Sequence, residues 1–494
     1  MSKFAQVLVR RAAWCGALAG SLLVAWASTA QAEVKLPAIF SDHMVLQRDL
    51  ANPIWGWAEP GEEVVVALDG KTKSTKANAD KTWRVVLDPL PAGGPHKIVI
   101  EGKNRIAIED VLVGEVWVCS GQSNMQWPAG ATRDADLARI TANYPQLRMI
   151  TVPVKGTQEP QSDFQGSWQL TTPDTVNGFT AVGYFFGLTL YQALGIPVGL
   201  IHDSWGGSAC EAWIPREKLE ADPQYQPLMD KWREIEKNPN DGQLSGNARP
   251  GNLYNGQLKP IVGYGIRGAI WYQGETNAGR AYQYREMFPL MIQTWRDLWQ
   301  QGDFSFYWVQ LADFLAEPTQ PGDSAWAELR EAQTMTQKLP KTGQAVIIDL
   351  GEANDIHPVN KEDVGERLAR LALARDYGIQ IANHSPEYKS MEKQGNKIVL
   401  TFEHAGGRLK PFDVNEVRGF TIAGADKKFV VAQAKIVEND KTKVEVWSDE
   451  VAEPVAVRYA WADNPVCNLR SANNLPVTPF RTDDWPGVTI NNKN

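Results

Sequence analysis

A strand-like run from Val111 to Val118 leads into Cys119-Ser120-Gly121-Gln122-Ser123-Asn124-Met125, which sets the Ser123 hydroxyl in a Gly-containing turn just beyond a buried strand. Such a place suits a nucleophile. The strand is rigid, Gly121 lets the backbone turn tightly, and backbone N–H groups beyond the turn can face an oxygen that gains negative charge. A free serine is inert, so Ser123 needs a base within hydrogen-bond reach and a set of oxyanion donors. Without them it is a turn serine bonded to its own backbone.

His357 is the best base among six histidines. It precedes a helix whose expected cap is Asn360, with Asp363 three residues on and Val364, Leu368 and Leu371 as the buried stripe. Pro358 stiffens the loop, and Asp355, Glu352 and Asp349 are the acids close enough in sequence to hold the imidazole in one tautomer. His202, at a strand end, is the rival base and reads as a packed residue. His43, His96, His384 and His404 fall in predicted β regions.

These groups need a common frame. Helical stretches at Ala181–Leu194, Tyr284–Trp299 and Asp363–Ala374 alternate with apolar runs at Val198–Ile201, Ala269–Tyr272, Phe306–Leu311 and Ala345–Ile348. That alternation predicts an α/β fold with a mostly parallel sheet and helices on both faces, and Pro289 should kink its helix or move its start. Ligands of such sheets bind beyond the carboxyl ends of the strands. There the chain carries Ser123, then Asp203-Ser204-Trp205-Gly206-Gly207-Ser208, then Gln273-Gly274-Glu275-Thr276-Asn277, then Asp349 to Pro358. Four loops would converge on one mouth.

Pattern changes divide the chain. Residues 1–32 read as a secretory signal: Lys3, Arg10 and Arg11 precede an apolar stretch from Ala12 to Trp26, and Ala30-Gln31-Ala32 offers a small-x-small cleavage site. Export to the periplasm follows, without stable membrane association. Residues 33–107 read as a β-sandwich of short strands such as Pro53–Trp57, Val64–Leu68, Trp83–Leu87 and His96–Ile100. Residues 108–384 hold the α/β unit, with an insertion over about 216–260 that is plainest in the charged, turn-rich stretch from Lys218 to Arg249. Residues 385–494 return to strands, as at Lys397–Leu400, Lys443–Trp447 and Val455–Tyr459.

The formal net charge of −8 becomes more negative once the three signal cations leave, which argues against a nucleic-acid partner. Cys119, Cys210 and Cys467 remain, an odd number; Cys119 and Cys210 could meet, but two buried thiols are the simpler expectation. No CxxC or HExxH spacing suggests a metal. Nineteen tryptophans allow a non-catalytic glycan-binding protein, although Trp117, Trp271, Trp295 and Trp299 fit core patterns. Gly121-x-Ser123 and Gly206-x-Ser208 both lack the second glycine of the Gly-x-Ser-x-Gly elbow, which argues against an α/β-hydrolase.

The stretch Gly114–Met125, Trp205-Gly206-Gly207 with Glu211 and Trp213, Trp271–Ala278, and Ile356-His357-Pro358 together resemble the sialate O-acetylesterase family of SGNH hydrolases. The resemblance runs from about Leu36 to Asp483. It implies a three-layer αβα hydrolase domain, flanked here by N- and C-terminal β-sandwich-like domains, that removes acetyl groups from sugar hydroxyls by serine catalysis without metal or cofactor. Ser123 matches the nucleophile and His357 the base. Gly207, or Gly206 beside it, matches the oxyanion glycine, with the Ser123 N–H as a further donor. Gln273 is the favoured side-chain amide donor and Asn277 the second. The superfamily's aspartate three residues before histidine is Asn354 here, which leaves Asp355 as the acid or a Ser/His dyad oriented by a backbone carbonyl. Trp205, Trp127 and Glu275 are expected to line the substrate cleft, and Arg216 or Arg280 is a candidate for a sugar carboxylate. The expected partner is an acetylated carbohydrate: an O-acetylated sialic acid or, alternatively, acetylated xylan or pectin oligosaccharides.

Overall fold

The computed structural model describes residues 33–494, so the signal reading of residues 1–32 lies outside the described residues. A long strand, β1 (Arg105–Gly121), organises the chain. Its side chains alternate between exposed and covered up to Asp110 and are then buried without a break from Val111 to Gly121. Alternation marks a sheet with one wet face, and continuous burial marks a parallel sheet covered on both. One strand therefore passes from one kind of layer into the other.

With β2 (Tyr144–Thr151), β3 (Gln169–Thr171), β4 (Val198–Ser204), β5 (Gly268–Tyr272), β6 (Ser305–Val309) and β7 (Thr342–Ala345), β1 builds the path β7-β6-β5-β1-β4-β2-β3. Every pairing is parallel except β2 with β3. Among the helices are a single turn α1 (Ser123–Gln126), then α2 (Ala181–Leu194), α3 (Ala281–Trp299), α4 (Ala325–Met335) and α5 (Lys361–Arg375). Trp117 of β1 packs edge-on against Phe186 of α2, while Trp271 of β5 packs against Phe288 and Trp295 of α3. Trp117 pairs in register with Gly268, three residues from Trp271, so the two indoles point to opposite faces and helices cover both.

Pro289 lies buried inside α3, which starts at Ala281, earlier than the apolar stripe suggested. One expectation needs correction. The run Ala345–Ile348 is mostly not strand, because β7 ends at Ala345. Its burial has another cause: Ile347 packs into the main core, whereas Val346 and Ile348 pack into a second core formed by the C-terminal strands. The segment is a seam between two cores.

Several N-terminal strands join the same sheet, while Asn52–Trp57 and Thr82–Leu87 pair in a separate two-stranded one. Gly93–Glu101 pairs antiparallel with the first half of β1 and Val45–Gln47 pairs parallel with Leu112–Gly114, so β1 runs through residue 107. Lys71–Lys76 is a strand that apolar patterning misses, being polar and exposed along its edge. The C-terminal region is β-rich, with Lys397–Glu403 between Glu387–Gln394 and Lys443–Trp447. Among the described residues no helix is long and apolar enough to cross a membrane.

At the end of β1, Gly121 has φ +140°, and a Cβ there would lie 2.2 Å from the Tyr272 carbonyl oxygen. Gly121→Ala is therefore expected to lower stability by about 2–4 kcal/mol, combining a left-handed φ with overpacking against backbone. Urea unfolding would read this directly; a midpoint equal to the wild type's would show that the close approach does not constrain the turn.

Candidate active site

The site forms where the carboxyl ends of β1, β4 and β5 lie side by side. After Gly121, the Gln122 N–H donates to Tyr272 O at 2.9 Å and the chain turns into α1 with Ser123 as its first residue. The Ser123 Oγ and His357 Nε2 atoms are 2.9 Å apart, although the residues are 234 positions apart in the chain. Trp127 lies flat on the imidazole, ring centroids 5.0 Å apart and planes at 17°, while its indole N–H donates to Ala131 O at 2.8 Å. This packing holds the ring in plane.

The His357 loop is placed as its sequence suggested. Asn360 caps α5, accepting from the Asp363 N–H at 3.3 Å, and Val364, Leu368 and Leu371 are buried. The three nearby acids separate cleanly. Asp349 is held by Arg367 at 2.6 Å and Arg470 at 2.7 Å, and Glu352 accepts the Val359 N–H at 2.9 Å. Asp355 alone faces the imidazole, its Oδ1 accepting the His357 backbone N–H at 2.8 Å and lying 3.4 Å from Nδ1. His202 stands apart, buried against Phe179 with Nε2 on the Ser204 hydroxyl at 2.6 Å. Burial pushes its pKa down to about 4.

The glycine loop after β4 packs onto the serine. Trp205 N–H and the Ser208 hydroxyl both donate to Gly121 O at 3.2 Å, and a Cβ on Gly206 would sit 3.3 Å from that of Ser123. The Gly206 N–H donates to Gln126 Oε1 at 2.8 Å and its carbonyl accepts from Asn247 Nδ2. Gly207 is exposed, with φ +72°, and its carbonyl accepts from the Thr276 hydroxyl at 3.1 Å. Among the described residues no protein group accepts the Gly207 N–H.

The side-chain amides are placed differently from expectation. Gln273 spends both hydrogens, on Ser208 O at 3.0 Å and Asn277 Oδ1 at 2.7 Å, and its oxygen accepts from the Tyr284 hydroxyl at 2.9 Å. Asn277 donates to Glu211 at 2.9 Å and accepts the Cys210 N–H at 2.9 Å. A buried polar network thus uses the two amides to brace the glycine loop. Arg280 completes it by pairing with Glu211, and Arg216 pairs with Glu236 and Glu220, so carboxylates of the protein already hold both arginines. Glu275 does not point to the cleft: its Oε1 accepts from Asn124 Nδ2 at 2.7 Å and its Oε2 is buried. Trp205 is half-buried against the main core. Cys119, Cys210 and Cys467 are free thiols, the first two buried.

Sequence reasoning missed four residues: Gln126, Asn247, Asn124 and Lys361. For Lys361 a signal was present. It stands three residues before Val364 and seven before Leu368, on the stripe that α5 buries.

Residues 113–374 match a family model described as carbohydrate esterase, sialic acid-specific acetylesterase. Sialate O-acetylesterase from Homo sapiens is 31% identical over 95% of this chain and 97% of its own length, and the Mus musculus protein is 28% identical over 90% and 94%. A crystal structure of a carbohydrate acetylesterase from Xanthomonas citri superposes with a TM-score of 0.84 at 42% identity, covering 92% of this chain and 100% of that one.

The Glu211–Arg280–Asn277 network yields a stability prediction. Arg280→Met would leave Glu211, itself 2% exposed, without its cation. Breaking a buried ion pair on one side costs about 3–5 kcal/mol. Thermal and urea unfolding should both register the loss, and a variant within about 0.5 kcal/mol of wild type would show that Asn277 alone satisfies the carboxylate.

Proposed function

This chain belongs to the sialic acid-specific acetylesterase family of carbohydrate esterases, and we propose that it hydrolyses O-acetyl esters on sugars with Ser123 as nucleophile and His357 as general base. It is a carboxylic ester hydrolase rather than a glycan-binding module. The 2.9 Å hydrogen bond between Ser123 Oγ and His357 Nε2 carries the mechanistic reading.

His357 takes the Ser123 proton as Oγ attacks the acetyl carbonyl carbon. The carbonyl π electrons move onto oxygen, which the N–H groups of Ser123 and Gly207 would face. Each such donor is worth about 10²–10³ in rate. Collapse breaks the bond to the sugar oxygen, which leaves with the proton from His357. Water then attacks the carbonyl carbon of acetyl-Ser123, giving its proton to the same histidine; collapse breaks the bond between that carbon and Ser123 Oγ, His357 returns the proton to Oγ, and acetate departs. Asp355 steadies the imidazolium formed in each half-reaction. Gln273 and Asn277 act through the loop they brace, and Trp127 and Trp205 border the cleft.

In this reading the parallel sheet with its helices is the three-layer SGNH domain, about residues 108–384, with the insertion about 216–260 at its edge. The strands before and after it, 33–107 and 385–494, are its β-sandwich-like companions. Residues 1–32 direct the chain out of the cytoplasm, with the periplasm as destination.

Ser123→Ala is expected to lose acetate release from p-nitrophenyl acetate and acetylated sugars by on the order of 10⁴-fold or more, with an unchanged circular dichroism spectrum and melting point. Turnover near the wild type's would remove Ser123 from the mechanism. O-acetylated sialic acids share this ester with acetylated xylo- and pectic oligosaccharides, and a kcat/KM panel across them assigns the sugar.

A further inference from the structure

Lys361 is fully buried, the first residue of α5 and four positions after His357. Its Nζ donates to Asn124 Oδ1 at 2.5 Å, and it lies 5.7 Å from the Trp127 ring centroid and 5.6 Å from that of Tyr272. Because the ammonium occupies Asn124 Oδ1, the amide must present its Nδ2 hydrogens in the other direction. They go to Glu275 Oε1 at 2.7 Å and to the carbonyl oxygen of Ile356 at 3.0 Å. Asn124 follows Ser123 and Ile356 precedes His357. One amide therefore ties the residue next to the nucleophile to the residue next to the base.

We propose that Lys361 and Asn124 are positioning residues: the buried ammonium sets the orientation of the Asn124 amide, and that amide latches the His357 loop onto the turn bearing Ser123. The inference rests on the Ser123/His357 reading and extends it to groups that touch neither substrate nor the reacting atoms. A lysine is a costly choice for a fully buried position unless its charge is used. An apolar residue would fill the α5 stripe equally well, but it would leave the amide free to turn over and release the Ile356 carbonyl.

The protonation state of Lys361 supports the same view. Burial pushes its pKa down to about 7, against the opposing pull of Glu275, Asp355 and Glu352. Burial also holds the Glu275 carboxyl above its ordinary range. Lys361 is charged below about pH 7 and becomes neutral as pH rises through that value, so the charge-assisted bond to Asn124 weakens on the alkaline side.

The test compares wild type, Lys361→Met, Asn124→Ala and the double variant on p-nitrophenyl acetate between pH 5 and 9, with melting points recorded for each. Lys361→Met should lower kcat about 10- to 100-fold, as for small misplacements of a base, while KM stays within about twofold. Wild-type kcat is expected to fall on the alkaline side as Lys361 loses its proton, and that fall should be absent in Lys361→Met. The double variant should be no slower than the slower single variant by more than about twofold, since both act through one latch. Wild-type kcat in Lys361→Met, or a kcat–pH profile of unchanged shape, overturns the proposal. Ser123→Ala run alongside separates the two readings: an active Ser123→Ala sinks the mechanism itself, whereas an inactive Ser123→Ala beside a normal Lys361→Met sinks only the latch. Should Lys361→Met fail to fold, Asn124→Ala carries the same kcat-against-KM criterion, and wild-type kcat in that variant overturns the proposal.

Discussion

The end of β1 is the constraint on which the site depends. Its last residue, Gly121, is clamped on two sides: its carbonyl accepts from Trp205 and Ser208 of the loop after β4, and the next N–H donates to Tyr272 at the end of β5. Three neighbouring strands thus finish at one level, held by two main-chain bonds and one from the Ser208 hydroxyl. The buried indoles on the two faces of the sheet keep the strands from sliding, because a one-residue slip would send Trp117 and Trp271 to the wrong layers. Ser123 inherits its position from that register.

How much of this was legible follows from what each signal reports. Helix α2 spans the residues its apolar stretch suggested, since Thr180 caps its start and Gly195 its end, both local devices. The pair Ser123 and His357 was legible because each lies beyond an apolar run, where a parallel sheet gathers its loops. The seam at Val346–Ile348 was not, because burial against two cores produces the same apolar run as a strand. The destinations of the Gln273 and Asn277 amides were also hidden. Motif matching places these residues near the serine, but only three-dimensional packing decides whether an amide hydrogen is open or already used: those of Gln273 go to Ser208 and Asn277, and Asn277 donates to Glu211.

The polar groups under the site form two separate networks with different work to do. Gln273, Asn277, Glu211 and Arg280 satisfy one another beneath the glycine loop, and removing any one leaves a buried group unpaired. Asn124, Glu275 and Lys361 lie on the other side of Ser123, beneath the His357 loop. The first network holds the loop that carries Gly207, and the second ties the turn of Ser123 to the loop of His357. Apolar packing could stabilise either place more cheaply, yet it is non-directional and would not choose one loop conformation over its neighbours.

The acid beside His357 illustrates the same division. Asn354 occupies the position three residues before the histidine, and Asp355 is one residue closer, so a side chain reaching Nδ1 must come from a tighter turn. The loop supplies it: Asp355 N–H donates to Glu352 O at 3.2 Å, and Glu352 in turn accepts the Val359 N–H, closing residues 352–359 on themselves. Within that ring Asp355 Oδ1 takes the backbone N–H of His357 at 2.8 Å and stays 3.4 Å from Nδ1. Its strongest bond is to the main chain, and its link to the imidazole is the longer one. The carboxylate therefore shapes the loop first and meets the ring second. That order explains why the orientation of His357 also needs Trp127 on its face and the Ile356 carbonyl held from below.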